Sequence, residues 1–336
     1  MKSLKLSLSL KAEQQERYVK LPFELPDGVE ELKISYSYDR TELSRRDGAV
    51  FENGEAVVDF ALEAPGGRFV GASGSDRESV TVSPHGSSSG FASMEVCRGG
   101  WTIIAGAYRI PEGGLDVEYI VELVYKKRRL FKGDTHVHTI ASDGNCSVSG
   151  IVSLAEKRGL DFVFITNHNN FLSERDLPAA PPVTVIPGTE WTHYRGHAGL
   201  LGEREAYSLP YYADDEAQAG MILSQASESG AFVVLNHPFC PQVPWKWSFG
   251  LAHHGVEIWN GVMSERNERA VAWWHSRLAA GESVVAVGGS DYHRQGLFQA
   301  LAMPCQNLWA ESRSRDDIMA SLRRGCGFIS YQPDGP

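Results

Sequence analysis

The sequence predicts an α/β fold: a parallel-stranded barrel preceded by a smaller all-β sandwich. Three observations carry this. Over the first ~125 residues apolar side chains recur at every second position, the period of half-buried strands. Between those runs stand turn clusters such as "PDG", "APGG", "SPHGSSSG" and "PEGG", the punctuation of a sandwich or jelly roll. After "KKRRLFKGD", short apolar runs alternate with helical stretches, the pattern of repeated strand–helix units. The division expected is a β-domain over residues 1–128 and an α/β barrel over 129–336. A hydrophobic content of 42% in 336 residues is enough for two cores.

The elements follow in order. "ELKISYSYDR" sets Leu32, Ile34, Tyr36 and Tyr38 on one strand face. "LDVEYIVELVY" does the same for Leu115, Val117, Tyr119, Val121, Leu123 and Tyr125. In the second half, "SVSGIVSLAEKRGL" reads as a helix stopped by Gly159. "DFVFIT" and "VTVIPG" read as buried strands. "DDEAQAGMILSQASESG" is a helix leading into the strand "AFVVLN". "VEIW" is a strand, followed by a helix in "SERNERAVAWWHSRLAAG" and the strand "SVVAVGG". A last helix runs through "RDDIMASLRRG".

Composition narrows the function. The net charge is −10 and there is no long basic stripe, so duplex nucleic acid is not an expected partner. The short "KKRR" of Lys126 to Arg129 reads as a solvated linker. Cys97, Cys146, Cys240, Cys305 and Cys326 are dispersed, with no CxxC, which fits a reducing compartment. The opening "MKSLKLSLSLKAEQQERYVKL" alternates like a strand and lacks the apolar core of a secretory signal. No apolar run approaches the ~18 residues of a membrane span. The expectation is a soluble cytoplasmic protein with no membrane partner.

Metal-competent residues gather at the strand ends. His136 and His138 close a strand in "GDTHVHTIASDG", and Asp143 follows them. His168 ends "DFVFITNH", Glu190 ends "VTVIPGTE", and His197 opens "GHAGLLG". His237 ends "AFVVLNHP", while Asp291 and His293 end "SVVAVGGSDYH". In a parallel barrel the C-terminal strand ends share one face, so these side chains can converge. Any one histidine is more simply a packed or surface residue; the joint placement is what argues for a site. Imidazole and carboxylate suit zinc, manganese, iron or cobalt, and no thiolate is needed. His193, His253, His254 and His275 read as structural.

The segments "DTHVHTIASDG", "ITNHNN", "IPGTEWT", "GHAGLLG", "LNHP" and "GGSDYH" fall in that order across roughly residues 131–295. Together they resemble the polymerase and histidinol phosphatase (PHP) family of metallohydrolases. The N-terminal β-domain and "GHAGLLG" are similar to its carbaryl-hydrolase-like branch. The resemblance implies a distorted (β/α)7 barrel holding two to three divalent ions, zinc, manganese or iron. It places His136, His138, Glu190 and Asp291 on a first ion. Glu190 would bridge to a second held by His197 and His237, and Asp143, His168 and His293 would hold a third. Many members carry aspartate where Asn167 stands; an amide can orient a neighbour but supplies no charge.

No Ser-His-Asp or Cys-His arrangement is visible. The expected reaction is therefore hydrolysis by a hydroxide held between metals. Glu190 and Asp291 are its expected catalytic residues, with Asp291 or a nearby histidine relaying a proton to the leaving group. Three divalent ions, less the charges of Glu190, Asp291, Asp143 and a hydroxide, leave about two positive charges, a field suited to a phosphomonoester dianion. The expected substrate is a small phosphorylated metabolite or nucleotide. Lys132, Arg195 and Arg294 flank the motifs as candidate anion binders, or as solvated charges. Carboxylester or carbamate hydrolysis at the same centre is the second reading, and a non-enzymatic binding module the third. Trp245 and Trp247 form either a pocket wall beside His237 or local packing. Cys240 reads as a buried thiol, with catalysis as its alternative.

Overall fold

A computed structural model describes residues 2–46, 49–172, 177, 181–203, 210–296 and 299–335. The chain forms two compact units, Met1–Lys127 and Arg128–Pro336. All five cysteines are free, and no helix among the described residues is long and apolar enough to cross a membrane.

The first unit contains β1 (Lys2–Leu10), β2 (Arg17–Leu25), β3 (Val29–Tyr38), β4 (Thr41–Arg46) and β5 (Ala49–Glu55). It continues with β6 (Val57–Ala64), β7 (Arg68–Ser73), β8 (Ser79–Val82), β9 (Gly99–Arg109) and β10 (Leu115–Tyr125). Two four-stranded antiparallel sheets, β1-β10-β3-β8 and β2-β9-β6-β7, stand beside a β4-β5 ribbon. The period-2 pattern is realised along β10, where Leu115, Val117, Tyr119, Val121 and Leu123 are buried and Asp116, Glu118 and Ile120 are exposed. Tyr36 of β3 lies 5.6 Å from Phe60 of β6 and 5.7 Å from Tyr119 of β10, so aromatic contact joins the two sheets.

The second unit contains β11 (Arg129–Asp134), β12 (Phe162–Ile165), β13 (Thr184–His193), β14 (Gly196–Leu201) and β15 (Phe232–Asn236). After these come β16 (Gly255–Asn260), β17 (Val285–Gly289), β18 (Cys305–Ala310) and β19 (Gly327–Ser330). Its helices are α1 (Val148–Lys157), α2 (Glu216–Glu228), α3 (Glu265–Ala279) and α4 (Arg315–Arg323). Ser147, Asp215 and Ser314 cap α1, α2 and α4 by accepting from Gly150, Gln218 and Asp317 backbone N–H groups. Gly159, at φ +67°, ends α1 where the sequence places the stop.

The nine strands form one sheet in the order β17-β16-β15-β14-β13-β12-β11-β18-β19. The expected all-parallel order is corrected here. β14 runs antiparallel to β13 and β15, and β18 runs antiparallel to β11 and β19. Only Tyr194 and Arg195 separate β13 from β14, room for a hairpin but not for a crossover. The other seven strands share the direction of β11. Helices follow β11, β14, β16 and β18; among the described residues no helix follows β15 or β17, so the strand–helix repeat is incomplete. The sheet is nearly closed. Across the seam, Gly288 N–H of the end strand β17 donates to Gln306 Oε1 of β18, the neighbour of the other end strand, at 3.0 Å. A Cβ at Gly288 would lie 2.6 Å from Ile329 of β19.

Candidate metal centre

The site is assembled at one end of this sheet. Beyond β11, Val137 pairs with Tyr292, and His168 pairs with Glu190, which extends the strands far enough to carry their imidazoles. Asp134 fastens the end of β11 to the loop beyond β17. It accepts from His136 N at 3.1 Å, Ser290 N at 3.0 Å, Ala302 N at 2.6 Å and the Ser290 hydroxyl. Burial pushes the Asp134 carboxyl up, against those donors. His197 reaches the same end by a different route from the one expected. It lies in the second position of an antiparallel strand, which begins where β13 finishes. His237 and Asp291 are set by left-handed backbone, at φ 29° and 53°. Such conformations cost ~1–3 kcal/mol in non-glycine residues and gather at functional sites.

All nine expected metal ligands come together. His136 Nε2 lies 3.2 Å from Glu190 Oε1 and 3.3 Å from Asp291 Oδ1. His138 Nε2 lies 3.3 Å from Asp291 Oδ1 and 3.5 Å from Glu190 Oε2. Glu190 Oε1 is also 3.2 Å from both His197 Nδ1 and His237 Nε2. Asp143 Oδ1 lies 3.2 Å from His293 Nε2 and 3.5 Å from His168 Nε2. The last group faces solvent, with 58% of the Asp143 side chain exposed against 1% for Glu190.

These residues fit divalent cations. An ion about 2.0–2.1 Å from its nitrogen and oxygen ligands separates neighbouring donors by about 3.3 Å at tetrahedral angles. The inner contacts of His136 and His138 span 3.2–3.5 Å. The buried His136 Nε2, His138 Nε2 and Glu190 Oε2 form no properly angled hydrogen bond despite this proximity. A buried polar atom left so is costly unless a ligand completes it.

Without metal, the same cluster is an ionic network. Burial would raise the Glu190 carboxyl, but the adjacent His136, with His168 and His197, holds it well below the usual range. Burial likewise opposes ionisation of Asp291, and His136, His138 and His237 override it and hold the group low. Burial disfavours the charged His237, yet its bond to Glu190 raises it to about 9. His138 goes the other way, lowered by burial.

Glu257 is a site residue that the sequence reading passes over inside "VEIW". It is 2% exposed, and its Oε1 lies 3.0 Å from His136 Nδ1. Its Oε2 accepts from His237 N at 2.9 Å and Asn260 Nδ2 at 3.0 Å. The available signal was a lone charge in an apolar strand. Asn236 Nδ2 donates to Glu190 Oε1 at 3.0 Å. Asn167 serves as an acceptor: its Oδ1 takes Thr139 N–H at 2.8 Å and the Thr139 and Ser142 hydroxyls at 3.1 Å. A neutral amide thus holds the turn after His138.

The three candidate anion binders are dispersed. Lys132 Nζ lies 3.4 Å from Asp334. Arg195 stacks 4.6 Å over Trp247, which also packs on Trp191 and His193. Those two alternate along β13 with Glu190 and Thr192, so Arg195 sits on the strand face away from Glu190. Arg294 is exposed next to His293. Trp245 and Trp247 are buried in an apolar cluster with Trp191 and Leu235, which is local packing. His254 Nδ1 accepts from Val233 N, and His253 Nδ1 donates to Leu251 O. Cys240 is buried, with Sγ 3.1 Å from Gln242 Oε1.

No family model and no curated protein matches the chain. Solved structures do. One is a two-domain protein containing a predicted PHP-like metal-dependent phosphoesterase from Bacteroides vulgatus, 22% identical with a TM-score of 0.47, the match covering 61% of this chain and 66% of that one. Another, from Bifidobacterium adolescentis, is described as a metal-dependent phosphoesterase; it is 17% identical with a TM-score of 0.40, covering 56% and 96%. A third is an amidohydrolase from Chromobacterium violaceum with bound sulfate and no metal, 14% identical with a TM-score of 0.35, covering 49% and 89%. The chain spans about two thirds of the first of these. It is thus similar to one protein described as containing a PHP-like metal-dependent phosphoesterase and to another described as a metal-dependent phosphoesterase.

Proposed function

We propose that this chain is a PHP-type metal-dependent hydrolase acting on a small phosphoester. The observation that carries the reading is the buried set of His136 Nε2, His138 Nε2 and Glu190 Oε2, which complete no hydrogen bond, framed by Asp291, His197 and His237. Bound divalent ions would supply an activated water and a Lewis acid for the substrate oxygen. Glu190 and Asp291 complete the cage, with Glu190 contacting His136, His197 and His237 from one oxygen. Asp291 Oδ1 stands 3.3 Å from both His136 Nε2 and His138 Nε2. It suits the role of ligand and of proton acceptor from the attacking water.

Substrate charge follows from position. Glu257 adds a further carboxylate beside His136, so the field at full occupancy falls to about one positive charge. That weakens the distinction from a neutral carboxylester or carbamate, which gains only from polarisation. Access favours the phosphoester. The outer group of Asp143, His168 and His293 is the exposed one, with Arg294 beside it, so an anion arriving from solvent would be drawn to Arg294 and to an ion held by that group. The test is a metal-loaded assay over phosphomonoesters, phosphodiesters, neutral esters and carbamates. Phosphate release with competitive inhibition by inorganic phosphate is expected. Turnover of neutral esters with indifference to phosphate would overturn the phosphoester assignment.

A further inference from the structure

We infer that Glu257 is a positioning residue that couples the two inner metal sites. The inference rests on the metal-centre reading but not on the choice of substrate. One oxygen of this carboxylate holds the ring of His136, which would ligate the first ion; the other holds the backbone of His237, which would ligate the second.

The first contact fixes a tautomer. With His136 Nδ1–H donated to Glu257 Oε1 at 3.0 Å, the lone pair stays on Nε2, the atom facing Glu190 and Asp291. A carboxylate in this place also makes the imidazole a better donor to a cation. The second contact holds a strained residue. His237 has φ 29°, and its N–H is tied to Glu257 Oε2 at 2.9 Å.

The surroundings keep Glu257 where it is. Asn260 donates to Oε2 at 3.0 Å and is itself held by Arg266, whose Nη2 donates to Asn260 Oδ1 at 3.0 Å. Across the sheet, β17 leaves room only because residue 289 is glycine. A Cβ there would lie 2.5 Å from His136 Cβ and 2.8 Å from Glu257 Oε1.

The rival is that Glu257 ligates an ion with His136 and His237, since donor atoms of the three lie within 4.8 Å of one another. Hydrogen bonding decides against it. His136 Nδ1 and Glu257 Oε1 are at hydrogen-bond distance, and Oε2 already accepts two N–H groups. Glutamine could keep only one side of this arrangement. An amide oxygen facing His136 would turn an NH2 donor toward the His237 and Asn260 N–H groups.

The test uses the full chain, stripped with a chelator and titrated with cobalt(II) and with zinc(II) against a competing chelator. Wild type, Glu257→Gln and Glu257→Asp are compared, with the visible cobalt spectrum, the ion count and the metal-free melting temperature recorded for each. For Glu257→Gln, affinity for two ions should fall together by about 10–100-fold, with the third unchanged and the ion count preserved at saturating metal. Glu257→Asp keeps the charge and should show the same paired loss to a smaller degree; it decides the matter if the glutamine variant does not fold. Unchanged affinities overturn the inference. Complete loss of one ion, the others unaffected, makes Glu257 a ligand and overturns it too. A wild-type protein that binds no cobalt or zinc instead overturns the metal-centre reading on which it stands.

Discussion

Glu190→Gln is the sharpest perturbation of the site. Glu190 is fully buried, and five imidazoles contact its two oxygens: His136, His138, His168, His197 and His237, at 2.8 to 3.5 Å. The substitution preserves shape and removes the charge. In the metal-free protein it leaves protonated histidines without their partner, and breaking a buried ion pair in this way costs about 3–5 kcal/mol. In a domain of this size each kcal/mol is worth roughly 2–4 °C, so the metal-free melting temperature should drop by about 6–20 °C. The sign with pH follows from the depressed carboxyl. Its stabilisation is present above the unfolded value near 4.3 and is lost as pH falls through the lower folded value, so the gap between wild type and variant should close in acid. In the loaded protein, two ions should weaken together and turnover should fall by orders of magnitude. Calorimetry of the chelated protein and elemental analysis after reconstitution measure both. A variant that keeps wild-type metal content, affinity and activity would refute the bridging role.

Other outcomes are expected from the same geometry. His237 in the metal-free protein is raised to about 9 from an unfolded value near 6.5 by its bond to Glu190, although burial opposes it. Its stabilisation is complete below 6.5 and lost as pH rises through 9, so the chelated protein should lose roughly 3 kcal/mol across that window; a flat melting profile from pH 6 to 9.5 would contradict this. Metal binding at pH 8 should release protons, seen as a dependence of calorimetric heats on buffer ionisation enthalpy. A chain beginning at Leu130 should keep its ions, because every proposed ligand lies in the unit Arg128–Pro336; folding without metal binding would give the β-unit a part in the site. His193→Ala removes a ring stacked on Trp191 and tilted against Trp247 and should cost about 1 kcal/mol while leaving metal affinity unchanged, checked by melting and cobalt titration.

Much of this was legible because periodicity and strand ends are local properties. The alternation in "LDVEYIVELVY" needs only one buried face to come true, and β10 has one. The four helices fall on stretches with caps or stops written in the sequence, such as Ser147 before α1 and Gly159 after it. Most of the proposed ligands were legible because they follow the ends of strands that share a direction, His136 and His138 after β11, His168 after β12, His237 after β15 and Asp291 and His293 after β17. Strand direction was less so. "GHAGLL" looks the same in either orientation, and only the two-residue gap before it determines that β14 turns back.

Glu257 was illegible for a different reason. A ligand can be guessed from its own residue type, but the role of Glu257 depends on which nitrogen of His136 faces inward. That is a relation between β16 and the end of β11, far apart in the chain and not neighbours in the sheet. The sequence shows a glutamate between Val256 and Ile258, which alternation would assign to an exposed face if the sheet had one. Here both neighbours and the glutamate sit against packed material, Glu257 at 2% and Val256 at 0% exposure. A charge buried to that extent requires partners, and the partners turn out to be a proposed ligand's ring, another's backbone and an asparagine. The general lesson is physical: in a barrel whose rim binds cations, an acidic residue inside an apolar strand should be read first as support for a ligand, because neither solvent nor an apolar core can stabilise its charge.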